Sequence, residues 1–191
     1  MDQIIRETFE DNHLEATSKE EEYLAYINEH CEFVKECFRE LFLESEERLW
    51  GFSKPDALRE AIELVRDTEI ETHDHSKYSD EEFNAYRVKF FPTAYEKAHE
   101  IPELQKQNFD EAWEHHYLNN SHHTKYWWDA NGIPQDMELS AIVHMISDWA
   151  AMSKKFGGTV TDWYWNDAEK ERREMSDNTR KTVEELLEIL F

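Results

Sequence analysis

Residues 72–77 read Thr72-His73-Asp74-His75-Ser76-Lys77, and the reading of the rest of the chain turns on them. They close a segment in which Leu58, Ile62, Val65 and Glu69 line one side, with Ala61 and Ile70 nearby. Steps of three and four predict an amphipathic helix starting near Pro55-Asp56. An adjacent His and Asp can reach one metal ion where a helix ends, because both side chains can then turn inward. An imidazole nitrogen with a carboxylate oxygen suits a first-row divalent ion. Two donors leave a site open, so the remaining ligands have to come from elsewhere in the chain.

Towards the N-terminus, Tyr23, Ile27, His30, Val34, Cys37 and Leu41 form a helical stripe that contains a histidine. Thr17-Ser18 before Glu20 to Glu22 is a helix-start signal, and residues 1–17 are expected to be an N-terminal arm whose first dozen residues form a weakly held helix or an arm. Towards the C-terminus, Ser79-Asp80-Glu81-Glu82 starts a helix over Phe83 to Phe90 that Pro92 stops, and Pro102 interrupts the less regular stretch 93–107. Phe109 to Asn119 is helical, with Phe109, Ala112, Trp113 and His116 on one face and His115 about 100° away. Met137 to Lys155 is a strongly apolar helix ended by Gly157-Gly158, and it carries Asp148 between Ser147 and Trp149. A carboxylate there is costly to bury unless it is paired or bound to metal. Taken one at a time, each residue has a plainer reading. His30 is a satisfied core histidine, Asp148 a surface or capping group, and His144, four residues before Asp148, an orienting neighbour or a surface residue.

The whole chain reads as all-α, a single domain over residues 18–191 with its core at 20–156 and an aromatic segment and helix at 157–191. Four Gly and four Pro in 191 residues leave little material for a turn-rich β fold, while seven Trp, eight Tyr and eleven Phe supply a core. The formal charge of −23 argues against general nucleic-acid binding and against anionic membranes. It fits a solubilising surface, an environment for divalent cations, or an acidic decoy for a basic partner. No run approaches the ~18 apolar residues of a membrane span. Cys31 and Cys37, six apart on one expected helix, read as reduced thiols in a cytoplasmic protein. The C-terminal stripe Val183, Leu186, Leu187 and Leu190 packs internally or across a homodimer. Asp162-Trp163-Tyr164-Trp165 is core packing or a roof over a base.

A helix-borne His30, then His73-Asp74, then a helix-borne Asp148, in that order, resembles the HD superfamily of metal-dependent phosphohydrolases. His73-Asp74-His75-Ser76-Lys77 is similar to its extended HD-x-[GS]-K form. HHYLNNSHHTKYWW (115–128), with SDWAAMSKKFGG (147–158) downstream, also resembles an uncharacterised family of small bacterial and phage HD-like proteins. The resemblance covers residues 20–156. It implies a helical bundle holding one or two divalent ions (Mn, Fe, Co, Ni, Zn or Mg) on His30, His73, Asp74 and Asp148. Further ligands would come from His116, His122 and His123, and the choice within His115/His116 and His122/His123 stays open. It further implies catalytic roles for Asp74 and Lys77, with Lys77, Arg87 and Lys125 meeting the phosphate of a nucleotide or other small phosphoester. His75 would support the pair. The Gly-Tyr-Pro signature of cyclic-dinucleotide enzymes is missing after His123, which argues against that substrate. The resemblance leaves two alternatives: a mixed-valent di-iron oxygenase, and a non-catalytic acidic interaction protein (a decoy or anti-defence factor) on the same scaffold.

Overall fold

The computed structural model describes the backbone of residues 2–191 and the side chains of residues 14–45 and 47–191. Met1 and the side chains of residues 2–13, within the expected N-terminal arm, lie outside it. The chain is 76% helical, with no strand among the described residues, so the all-α class expected from its few glycines and prolines holds. In chain order, α1 is Asp2–Phe38, followed by a π-helical turn at Arg39–Leu43. Next come α2 (Glu46–Leu49) and α3 (Pro55–Leu64), which runs into a second π-helical turn, Val65–Glu69, and a 3₁₀ turn, Ile70–Thr72. A 3₁₀ turn at His75–Tyr78 precedes α4 (Phe83–Phe90), α5 (Ala94–Ala98) and α6 (Pro102–Asn119). A 3₁₀ turn at Thr124–Trp127 leads to α7 (Leu139–Phe156), α8 (Val160–Asn166), α9 (Glu169–Arg173) and α10 (Asp177–Leu190).

Two boundaries differ from those the sequence predicts. α1 runs without a break through Thr17-Ser18, because a capping residue ends a helix only where the chain departs from helical dihedrals. There the Lys19–Glu22 ion pair instead sits on a continuous helix surface. Pro102 starts α6 rather than interrupting it, since a proline in the first turn removes an N–H that has no intrahelical partner anyway.

Cα packing groups the chain into two compact units. The first is Met1–Glu29 with His75–His116. Its buried centre is aromatic: Tyr23 packs on Phe83 and Phe91, and Tyr86 on Phe90, Phe109 and His116. Thr93 caps α5 in a capping box with Glu96. Arg87 is buried and paired through its two terminal guanidinium nitrogens with Glu96, each at 2.6 Å.

The second unit is His30–Asp74 with Tyr117–Phe191. Its core draws Val34 and Phe38 from α1, Leu58 and Ile62 from α3, Val143 and Ile146 from α7, and Val183, Leu186 and Leu187 from α10. α7 is buried at every position from Ser140 to Ser147, as a helix enclosed by its neighbours must be. The buried Ser147 hydroxyl is satisfied by donating to the Val143 carbonyl, 2.9 Å. α7 ends at Gly157, whose φ of +83° a side chain would strain. Of the C-terminal aromatics, Tyr164 is core, Trp163 lies edge-on to Trp149, and Trp165 is exposed.

Candidate metal centre

The π-helical turn and the 3₁₀ turn unwind the end of α3 just before the His-Asp pair. Thr68 Oγ1 donates to the Leu64 carbonyl at 2.7 Å and Thr72 Oγ1 to the Glu69 carbonyl at 3.2 Å, satisfying acceptors that the altered ladder exposes. His73 then takes φ −50°, ψ 128°, and Asp74 takes φ +57°. That left-handed step at Asp74, which Asp adopts more readily than most residues, breaks the helical progression. Two consecutive side chains therefore reach the same interior point. Cys31 Sγ, on α1, donates to the His73 carbonyl at 3.4 Å and pins the backbone there.

Three donor atoms, from His30, His73 and Asp74, converge in the second unit, and Asp148 lies beside His30. His30 Nε2 lies 3.1 Å from His73 Nε2, 3.2 Å from Asp148 Oδ1 and 3.5 Å from Asp74 Oδ2. His73 Nε2 lies 3.4 Å from Asp74 Oδ2 and 3.9 Å from Asp148 Oδ1. Metal–ligand bonds of about 2.0–2.2 Å separate neighbouring donors by roughly 2.8–3.6 Å in octahedral or tetrahedral shells. The observed separations match that range, with one slightly longer. Asp148 Oδ1 is buried and outside hydrogen-bond geometry with any described donor, as a ligand atom facing an ion would be. Two imidazoles and two carboxylates fit a divalent first-row ion.

The electrostatics follow from the crowding. Burial alone would lower the His30 pKa, but the Asp148 and Asp74 carboxylates beside it raise it to about 9. Burial pulls the Asp148 carboxyl upward, and the His30 ring outweighs it and holds that carboxyl far below the usual range. Burial pushes the His73 pKa down.

The loop after α6 brings two further histidines into the same unit. Trp127 Nε1 donates to the Ser121 carbonyl at 2.7 Å and Trp128 Nε1 to the Glu174 carbonyl at 2.9 Å, which shapes the loop. His122 Nε2 then lies 3.5 Å from Asp74 Oδ1, and Asp74, His122 and His123 each offer a donor atom within 4.8 Å of the others. Burial lowers the His122 pKa strongly.

The second unit thus brings together His30, His73, Asp74, His122, His123 and Asp148. His116, Lys77 and Arg87 belong to the first unit. There His116 is buried, its Nδ1 2.9 Å from Glu82 Oε2 and 3.2 Å from Ser76 Oγ. Lys77 is half-buried, with Nζ over the Tyr86 ring, while Arg87, expected to meet phosphate, is committed to Glu96 instead. Lys125 lies over the rings of Tyr117 and Trp128 and 3.9 Å from Glu174. Trp113, expected inward, is exposed and stacks on His116, and His75 is exposed as well.

Three site residues escaped the sequence reading. His144 does not orient Asp148 but meets His73, Nε2 to Nδ1 at 2.9 Å. Glu69, read as one member of a helix stripe, faces His144 at 3.6 Å. Glu82, read as part of a helix start, is fully buried and bridges His115 and His116 at 2.8 and 2.9 Å, and the two rings overcome burial to hold its carboxyl below the usual range. For Glu69 a signal existed: a carboxylate at an apolar position of the Leu58, Ile62, Val65 stripe.

Fold and site together define an all-α protein with a buried His/Asp cluster able to hold a metal ion. Residues 19–189 match the family described as "Family of unknown function (DUF5662)", and the chain belongs to that family. No curated protein and no solved structure matches it. No helix among the described residues is long and apolar enough to cross a membrane.

Proposed function

We propose that this chain is a metal-dependent phosphohydrolase of the HD type, acting on a nucleotide or another small phosphoester. The observation that carries the reading is the convergence of His30 Nε2, His73 Nε2 and Asp74 Oδ2 at coordination spacing, with Asp148 Oδ1 3.2 Å from His30 Nε2. The ordered ligand residues His30, His73-Asp74 and Asp148 supply the link to the HD class. A divalent ion held there supplies a Lewis acid for a phosphoryl oxygen and lowers the pKa of water at the site. His30, His73 and Asp148 would hold the ion. Asp74 presents Oδ2 to that set and Oδ1 towards His122, a disposition suited to a carboxylate shared between two ions.

The test is metal analysis of the purified protein followed by a broad phosphoester screen with added Mn, Co or Mg. Turnover that D74A abolishes is the expected result. Metal demonstrably bound with no turnover across the panel would overturn the hydrolase reading. The two-ion disposition of Asp74 also favours a second reading, a di-iron oxygenase. Iron content with a mixed-valent EPR signal after aerobic isolation would select it, and a Zn or Mn protein indifferent to oxygen would exclude it.

A further inference from the structure

The two ring nitrogens of His73 face different neighbours. Nε2 faces His30, Asp74 and Asp148, and Nδ1 lies 2.9 Å from His144 Nε2 on α7. Behind His144, its Nδ1 lies 3.6 Å from Glu69 Oε2, a buried oxygen with no hydrogen-bond partner among the described residues. All three groups belong to the second unit. His73 and His144 are buried, and Glu69 is placed by the π-helical turn at Val65–Glu69.

With each ring carrying a single proton, two arrangements can satisfy the contact between them. In one, His73 Nδ1–H donates to His144 Nε2, and the proton on His144 Nδ1 faces Glu69. In the other, His144 Nε2–H donates to His73, and a bare lone pair on His144 Nδ1 faces the Glu69 carboxylate. The second sets two acceptors against each other in a buried place, and it also puts a proton on His73 Nε2, aimed into the donor cluster. The carboxylate selects the first.

Resting on the metal reading above, we infer that Glu69 and His144 are positioning residues that keep the His73 proton on Nδ1 and leave its Nε2 lone pair for a metal ion. The relay resembles in kind the outer partners that orient metal-bound histidines, except that a second imidazole stands between ligand and carboxylate.

The experiment combines zinc titration calorimetry with long-range ¹⁵N–¹H NMR of the His73 ring, on full-length protein with and without zinc. Circular dichroism checks the fold of each variant. In the wild type the His73 proton is expected on Nδ1 in both states. H144L is expected to lose roughly 10–100-fold in zinc affinity and to release the tautomer. H144Q, whose amide oxygen can accept where His144 Nε2 does, restores most of both. E69L should show a smaller loss in the same direction, and with H144Q it carries the test if H144L does not fold. A proton on His73 Nε2 in the wild type, or a folded H144L that binds zinc as tightly as wild type, would overturn the inference. If the wild type takes up no zinc yet holds Nδ1–H in a His144-dependent way, the metal reading fails and the relay stands.

Discussion

At Asp74 the backbone occupies the left-handed region, alone in this among the described non-glycine residues. Such a conformation costs on the order of 1 kcal/mol or more and persists where its surroundings require it. Here the requirement is that His73 and Asp74 share one target. Asn tolerates the same dihedrals, so D74N should keep the fold while losing more zinc affinity than the roughly 10–100-fold typical of an outer-shell change. Calorimetry on a variant with an unchanged circular dichroism spectrum measures this. His30 sets a pH dependence in the metal-free protein. Its folded pKa is raised from 6.5 to about 9, so its contribution to stability is full below pH 6.5 and disappears as pH rises through 9. The contribution is at most about 3 kcal/mol. Melting temperature should therefore fall between pH 6.5 and 9 in the absence of metal, and H30Q should flatten that slope. The pair His73-Asp74 was legible because the dipeptide is local. His144 was not, because its partner lies 71 residues away in the chain.

At the scale of elements, the π-helical turn at Val65–Glu69 adds one residue to the end of α3. One residue corresponds to about 100° of rotation, which decides whether Glu69 and His73 face α7 or solvent. Deleting Thr68 should restore a regular helix and turn the following segment by that amount. Helicity by circular dichroism should be retained while zinc binding is lost. Retained zinc affinity in the deletion variant would show that the turn does not position the pair. Periodicity identified the helices around α3, α4, α7 and α10, because a buried stripe leaves its spacing in the sequence. It did not reveal the two π-helical turns, whose dihedrals answer to packing partners rather than to local propensity. Nor did it fix the start of α1, where a good capping sequence lies inside a helix that has no reason to end.

At the scale of the whole molecule, 44 acidic against 21 basic residues leave a charge of −23 that works against compaction. Melting temperature in a chelator-treated sample should rise between low and physiological salt as that repulsion is screened. A divalent ion bound at the His/Asp cluster would act on the same balance locally. Zinc at 100 times its Kd should stabilise the chain by about 2.7 kcal/mol, and EDTA should reverse the shift in melting temperature. A melting temperature indifferent to zinc, Mn and Co alike would argue that the cluster is not a metal site. The core tolerates this acidic surface because its own residues are apolar and enclosed. Truncating Leu186 to Ala should accordingly cost about 2–5 kcal/mol in urea unfolding.

The sequence by itself determined the all-α class, the helix stripes that carry His30 and Asp148 inward, and the adjacency of His73 and Asp74. Those are matters of spacing along one strand of covalent chain, where burial imposes a period of 3.6 residues. Only the tertiary structure decided that Asp74 turns left-handed, that Arg87 spends its charge on Glu96, and that His73 leans on His144 and Glu69. Each of those is a contact in space between segments distant in sequence or a dihedral set by such a contact, and hydrophobic periodicity carries no record of either.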